Sequence, residues 1–346
     1  MLLFTSFAAL VALQPPTLPR HTFATSDEGW IALGDVAKAS RVSQPRSALQ
    51  LEYTVDKRSI NLLVRQVDVG QLAGAQQLHF LVKCDTDTTL AFMVEEKGGG
   101  RWMAIATVSK GTWQEVELAP TDFSLGRDAG DPTDANGRLD LDKVSTLSLL
   151  DIHQFLVRVE NPALQSLFSV ATGPRTLWLG EFSASVTPLP ATTLDGLARP
   201  QLGWTGIAGV SLKRVIAASP LQVPSLEATY SVAANKVGGL FRSFPTGALT
   251  GKTSLTLTAA VLKSTSLLVQ IEDELGAKFN VMVEVPGVRV AKKIVLPFAD
   301  FKPSDDSKRD KIDLSRVKQV LILDISGLTE SVEQTNTLWL ANLEAK

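Results

Sequence analysis

Six aspartates crowd into one stretch of the chain: Asp122, Asp128, Asp131, Asp134, Asp140 and Asp142. Carboxylates at such spacing are the raw material of a cation loop. Asp134-Ala135-Asn136-Gly137 also places oxygens at alternate positions ahead of a turn glycine, as calcium loops do. With Gly137 as the sixth loop position, the first is Pro132 and the twelfth Lys143, so both essential carboxylates are missing. The stretch therefore reads as a solvated, turn-rich loop.

Other chemistry-bearing residues are scattered. Glu95-Glu96 and Glu115/Glu117 are the carboxylate pairs a glycoside hydrolase would need, but strand alternation explains them as outer-face charges. His153 follows Asp151 with no serine or cysteine constellation around it. Cys84, within Leu81-Val82-Lys83-Cys84-Asp85, reads as a small strand residue. No nucleophile elbow, zinc-protease helix, P-loop or dinucleotide fingerprint occurs. No complete set of catalytic roles can be assigned, and the chain reads as non-catalytic.

Composition narrows the classes further. The 346 residues carry a net charge of −2, one cysteine and three histidines, with 45% hydrophobic and 20% charged residues. This is a globular composition, long enough for two domains. It lacks the basic footprint that nucleic acid requires, and one cysteine excludes an intrachain disulfide framework or a thiolate metal cage. The charge is divided unevenly. Residues 1–190 hold 16 Lys/Arg against 21 Asp/Glu, a net of −5, and residues 201–346 hold 17 against 14, a net of +3. Such halves can steer one another into contact, although salt screens the effect beyond about 8–10 Å.

The elements that must position these residues are strands, and they occur twice. Residues 47–55 (SALQLEYTV) echo residues 224–232 (PSLEATYSV), with Tyr53 and Tyr230 separated by 177 positions. The same offset relates Leu90 to Leu267, Glu95 to Glu272, Gly99 to Gly276 and Trp102 to Phe279. Further on, Asp122-Phe123 meets Asp300-Phe301, Leu150-Asp151 meets Leu323-Asp324, and Leu177-Trp178-Leu179 meets Leu338-Trp339-Leu340; at the front, Gly29-Trp30 meets Gly203-Trp204. Offsets hold within strand-like blocks and change only in polar loops, the mark of an internal duplication. The blocks alternate with period two, as in Leu49-Leu51-Tyr53-Val55 against Gln50-Glu52-Thr54. Glu96–Gly100 and Asp273–Gly276 read as hairpin turns, and Asp140–Val144 and Asp313–Val317 as short helical turns. The expected fold is all-β: two tandem antiparallel β-sandwich (jelly-roll) domains, over 17–188 and 201–346, joined by a linker at 189–200.

Residues 1–16 stand apart. Leu2–Leu13 is an apolar run of twelve ending at Gln14-Pro15-Pro16, too short to span a bilayer and placed as a secretory signal would be. A hydrophobic first strand or an anchoring helix is the alternative. With no other apolar run of spanning length, the expected product is exported, whether periplasmic, cell-surface or secreted, and has no integral membrane span.

The order of motifs, from ALQLEYTV through LAFMVEE, GGG and TWQEVELAPTDF to GRLDLDKVSTLSLLD and LWLGEF, resembles family 11 carbohydrate-binding modules. It is similar also to the complex I intermediate-associated proteins of the same galactose-binding-like superfamily. The resemblance covers both copies and implies jelly rolls. It also implies, as ligand, a polysaccharide or cell-surface glycan; the rival expectation is an envelope protein scaffold or assembly factor, and a third is an accessory part of a glycan-active enzyme system. In such modules the last strand carries acidic ligands to a structural calcium. The corresponding residues here are Glu28 and Glu181 in the first copy, a remnant site, with the poorer pair Asp195 and Asn342 in the second. Sugar binding in such modules relies on aromatic platforms. Trp30/Trp204, Trp178/Trp339, Tyr53/Tyr230 and Trp102/Phe279 occupy matched positions and are expected in the shared core, which leaves Trp113, facing Ala291 in the second copy, as the one platform candidate.

Overall fold

The alternating runs form strands throughout the computed structural model, which describes residues 17–126, 132–160, 165, 170–189, 194–216, 219–244, 247–287, 289–307, 309–328 and 333–346. The expected signal at 1–16 lies outside the described residues.

In the first copy the strands are β1 (Arg20–His21), β2 (Trp30–Leu33), β3 (Lys38–Val42), β4 (Ala48–Val55), β5 (Leu62–Gln66) and β6 (Gln77–Cys84). They continue as β7 (Thr88–Glu96), β8 (Arg101–Val108), β9 (Gln114–Leu118), β10 (Ser124–Leu125), β11 (Val144–Asp151) and β12 (Gly173–Ser185). One sheet runs β3-β4-β12-β6-β9, with β1 also on β12; the other runs β10-β8-β7-β11-β5-β2. The second copy has β13 (Thr205–Ile207), β14 (Ser211–Val215), β15 (Ser225–Val232), β16 (Gly238–Ser243), β17 (Ser254–Val261) and β18 (Thr265–Asp273). Its remaining strands are β19 (Lys278–Val285), β20 (Lys292–Pro297), β21 (Lys302–Pro303), β22 (Val317–Asp324) and β23 (Gln334–Ala345). Their orders, β14-β15-β23-β17-β20 and β21-β19-β18-β22-β16-β13, reproduce those of the first copy strand for strand, β1 aside. All the pairings between strands are antiparallel, so each copy is a jelly-roll sandwich and the duplication read from sequence is a duplication of topology.

Each sandwich encloses its own core. Leu49, Leu51, Val82, Phe80, Leu177 and Leu179 from one sheet meet Leu90, Phe92, Leu147 and Leu149 from the other, and Leu226, Leu257, Leu267, Val269 and Leu338 do the same in the second copy. Trp30, Trp204, Tyr53, Tyr230, Trp102 and Phe279 are all at most 4% exposed, as matched core positions should be. The expected turns form: Gly98 and Gly276 take φ of +71° and +81° between β7 and β8 and between β18 and β19, and a 3₁₀ turn spans Leu141–Lys143.

Two buried bonds tie sheet to sheet. Tyr53, on β4, donates its hydroxyl to Asp151 Oδ2 at the end of β11 (2.9 Å), and Tyr230 does the same to Asp324 (2.8 Å). Burial and the neighbouring carboxylate push both phenols well above their usual range, so they remain donors. The surroundings differ. Asp151 also receives Arg175 (2.6 Å) and Thr88 (2.6 Å), and Arg175 reaches His153 Nδ1 (2.8 Å). Asp324 has Asn336 (3.3 Å) where the first copy has Arg175. Cys84, 1% exposed, lies beside this cluster with its thiol pushed up by burial, inert as a strand residue.

The two sandwiches touch. Gln201 pairs with the edge of β9, accepting from Glu117 N (3.1 Å) and donating to Glu117 O (2.7 Å). Thr107 on β8 hydrogen-bonds Leu202 through its backbone and Trp204 O through its hydroxyl (2.9 Å). Arg199 stands 3.7 Å from Asp122, a cation of the connecting segment against a carboxylate of the acidic half.

Removing a donor from a buried carboxylate costs about 1.5–3 kcal/mol. Tyr230→Phe is therefore expected to lower the urea-unfolding free energy of the second sandwich by that amount with m unchanged, and Tyr53→Phe to cost less, because Arg175 and Thr88 still hold Asp151. Equal losses for the two variants would contradict this account.

Candidate functional site: the outer face of the first sheet

Strand parity decides what faces outward on β12. Leu177 and Leu179 enter the core, so Trp178 between them stands on the outer face, half-buried. Register extends this into a row: Ser40, Gln50, Trp178 and Lys83 lie opposite one another across β3, β4, β12 and β6. Trp113, the residue ahead of β9, completes the row beside Lys83, since Val82 pairs with Gln114.

The indole of Trp113 lies over the next row. A Cβ at Gly180 would stand 2.8 Å from its Cζ3 and 3.3 Å from Leu81 Cδ2, so glycine at 180 is what lets the ring come this close to the sheet. The backbone register shifts here, between Leu179 and Glu181. Arg46, from the β3–β4 turn, places its guanidinium carbon 5.9 Å from the Trp113 ring centre, and Lys83 Nζ sits 4.8 Å from Trp178 and 6.0 Å from Trp113. Trp178 Nε1 donates to Gln50 Oε1 (3.0 Å), and the Gln50 amide donates to Glu52 (2.9 Å). Each cation–π contact contributes about 0.5–1 kcal/mol at an exposed site. The result is two half-buried indoles, two cations and an amide on one open sheet face.

This corrects one expectation. Trp178 is not a core residue and faces outward, whereas its counterpart Trp339 is counted with the buried residues of the second core, as expected. Trp339 is 7% exposed, because Arg289 covers its ring (5.9 Å) and Glu227 takes its N–H (2.8 Å). The second copy lacks the rest of the arrangement. Arg46, Lys83, Trp113 and Gly180 correspond to Val223, Ala260, Ala291 and Ala341. Sequence reasoning singled out Trp113 but missed Trp178, Lys83, Arg46 and Gly180. The signals were present in the Leu-Trp-Leu alternation and in the joint replacement of four residues between copies.

The other candidates are dispersed. Glu95 pairs with Arg101 (3.5 Å) on the far sheet, whereas Glu96 is buried and its carboxyl raised by that burial. Glu115 is exposed and Glu117 half-buried on β9. Asp134 accepts from the backbone of Asn136 (3.0 Å) and of Gly137, a local turn; Asp128 and Asp131 lie outside the described residues.

Glu28 and Glu181 do not fit a calcium ion, which takes six to eight oxygens. The Glu181 carboxylate is engaged by Arg20 Nε (3.1 Å), and the Glu28 carbonyl accepts from Arg65 NH1, which also reaches His21 Nε2 (2.7 Å). Protein cations stand where the metal was expected. In the second copy Asn342 N donates to Asp195 (3.0 Å), and Arg242, the counterpart of Arg65, is buried with Asp195 and Asp122 supporting its charge; burial lowers its guanidinium to about 10. Among the described residues no group of three or more His, Cys, Asp or Glu side chains is clustered to hold a metal.

No protein-family model matches the chain. No curated protein matches it in sequence. Among solved structures it is similar to the family 11 carbohydrate-binding module of Clostridium thermocellum in complex with a β-1,3-1,4-mixed-linked tetrasaccharide, at 12% identity over 42% of this chain and 88% of that one (TM-score 0.34). It is similar also to the tandem CBM22-1–CBM22-2 domain of Paenibacillus barcinonensis Xyn10C, at 11% identity over 96% of this chain and 98% of that one (TM-score 0.31).

The Arg65 cluster yields two expectations. Millimolar calcium or excess EDTA should leave the melting temperature unchanged; a rise with calcium would restore the metal. Burial and Arg65 hold the His21 imidazole down to about 4 from 6.5. As the pH falls, the unfolded chain binds that proton first, so this contribution to stability is present above about pH 6.5 and is lost between there and pH 4. His21→Gln should flatten the pH dependence of unfolding in that window; an unchanged slope would refute the assignment.

Proposed function

We propose that the chain is an exported, non-catalytic glycan-binding protein that engages its ligand on the outer face of the first sandwich's β3-β4-β12-β6-β9 sheet. The observation that carries this reading is the Trp113 indole held against Gly180 beside Trp178. Sugar rings present apolar C–H faces that stack on such surfaces and hydroxyls that an amide such as Gln50 can satisfy. The export expectation for residues 1–16 agrees with a polysaccharide or cell-surface glycan as ligand. Among the described residues no helix is long and apolar enough to cross a membrane.

A second reading, an envelope protein scaffold, draws on a different feature. The sheet-edge strand β2 exposes Ile31 and Leu33, each 56%, and Val36 follows at 54%.

Affinity electrophoresis of the full chain through a panel of soluble polysaccharides separates the two readings. Retention by at least one glycan is expected, with Trp113→Ala weakening it about tenfold, which is about 1.4 kcal/mol, and Trp339→Phe leaving it unchanged. A folded chain that no glycan retards would overturn the proposal in favour of the scaffold.

A further inference from the structure

Two cations stand against the indoles of the proposed glycan-binding face, and neither has a carboxylate partner among the described residues. Arg46 stands against the Trp113 ring and Lys83 against both Trp113 and Trp178, and neither forms an ion pair among the described residues. Glu52, one row away, is occupied by the Gln50 amide, and Glu181, in the row beyond, by Arg20. Glu115 lies outside the Trp113–Lys83–Trp178 row and opposite Leu81. The row itself is thus a strip of positive charge on aromatic ground, bordered by carboxylates on both sides.

A neutral sugar that stacked on either indole would displace a cation from it and return nothing of equal strength. A sugar carrying an anion would draw the ammonium or guanidinium off the ring into a charge-assisted hydrogen bond, which is the stronger interaction. The internal duplication supplies the contrast. Where the first copy has Arg46, Lys83, Trp113 and Gly180, the second has Val223, Ala260, Ala291 and Ala341, so the Trp113 platform and these two cations are absent together, and a different cation, Arg289, covers the one indole that remains. Where Trp178 donates to the neutral Gln50, Trp339 donates to the Glu227 carboxylate, and a negative group thus sits where the first copy has none.

The geometry points to a glycan bearing an anionic group, a uronate carboxylate or a sugar sulfate, stacked on Trp113 and Trp178 with Lys83 and Arg46 as its counter-ions. This rests on the glycan-binding reading and narrows its ligand class. The acidic half carries a net −5, so the attraction is one of contact and not of long-range steering.

Polygalacturonate and its fully methyl-esterified form share a backbone and differ in charge, which makes them the decisive pair of probes. Affinity electrophoresis of the full chain is expected to show about tenfold stronger retardation by the acid form, weakening with added salt. The double variant Lys83→Gln/Arg46→Gln should lose this preference while keeping its melting temperature. The variant Lys292→Gln/Lys293→Gln, which removes two exposed charges from the second sandwich, should keep it. Alginate and ι-carrageenan divide the source: retention by alginate assigns a carboxylate, and by carrageenan alone a sulfate. Equal retardation by both galacturonan forms with none by carrageenan, or an equal loss in the two double variants, overturns the inference. If neutral glycans are bound through Trp113 and acidic ones are not, the glycan reading stands and this one falls; if no glycan of either kind is bound, both fall.

Discussion

The Tyr53–Asp151 bond, repeated as Tyr230–Asp324, sets the parity on which the rest of each sandwich depends. A hydroxyl that must reach a buried carboxylate on the facing sheet cannot point outward, so Tyr53 fixes which face of β4 is the core face. Leu51 and Leu49 follow inward, and Gln50 and Glu52 outward, because strand side chains alternate. Cross-strand neighbours share a face, so β12 must turn Leu177 and Leu179 in and Trp178 out, and β6 must present Lys83 beside it. The candidate face is therefore a consequence of one polar tie in the core. A slip of one residue would bury Lys83 and expose Val82.

The duplicated scaffold then meets the same electrostatic need with different residues. Each copy buries a carboxylate at the sheet junction, but the first adds Arg175 and the second Asn336. Both keep an arginine on matched strands, Arg65 on β5 against the Glu28 carbonyl and Arg242 on β16 with Asp195 supporting its charge. Gly203 is part of that arrangement, since a Cβ there would collide with Arg242 NH1. The outer faces diverge further. One keeps two indoles open with cations on them; the other closes Arg289 over its single tryptophan.

Much of this was legible in the chain. Period-two alternation, glycine turns and the 177-residue offset identified the fold, because backbone geometry ties those patterns directly to strands and hairpins. The core assignments of Trp30, Tyr53 and Trp102 followed from shared positions. The same reasoning failed for Trp178, because persistence in both copies records a structural role, and that role can be on either face; the flanking leucines, not the repetition, carried the information about direction. Lys83 and Arg46 were opaque for another reason. Arg46 lies on a turn some 67 positions from Trp113, and only the assembled sheet brings them together. The calcium expectation came from resemblance, which transmits a position but not the residue that now fills it.

The loss of the platform in the second sandwich leaves that domain with a different part to play, and the contacts between the two indicate which. Gln201 clamps the backbone of Glu117 on β9, the strand entered through Trp113. Gln114, next to Trp113, donates to Thr107 O (2.8 Å), and Thr107 is in turn held by Leu202 and Trp204. The edge strand β9, and the end of β8 that the short β10 leaves uncovered, would otherwise present unpaired backbone groups to solvent, and an edge that frays would carry Trp113 with it. Asp122 of the acidic half meets Arg199 of the connecting segment on this same border. Duplication has thus supplied a buttress: one copy carries the proposed ligand face, and the other holds the strand on which that face depends.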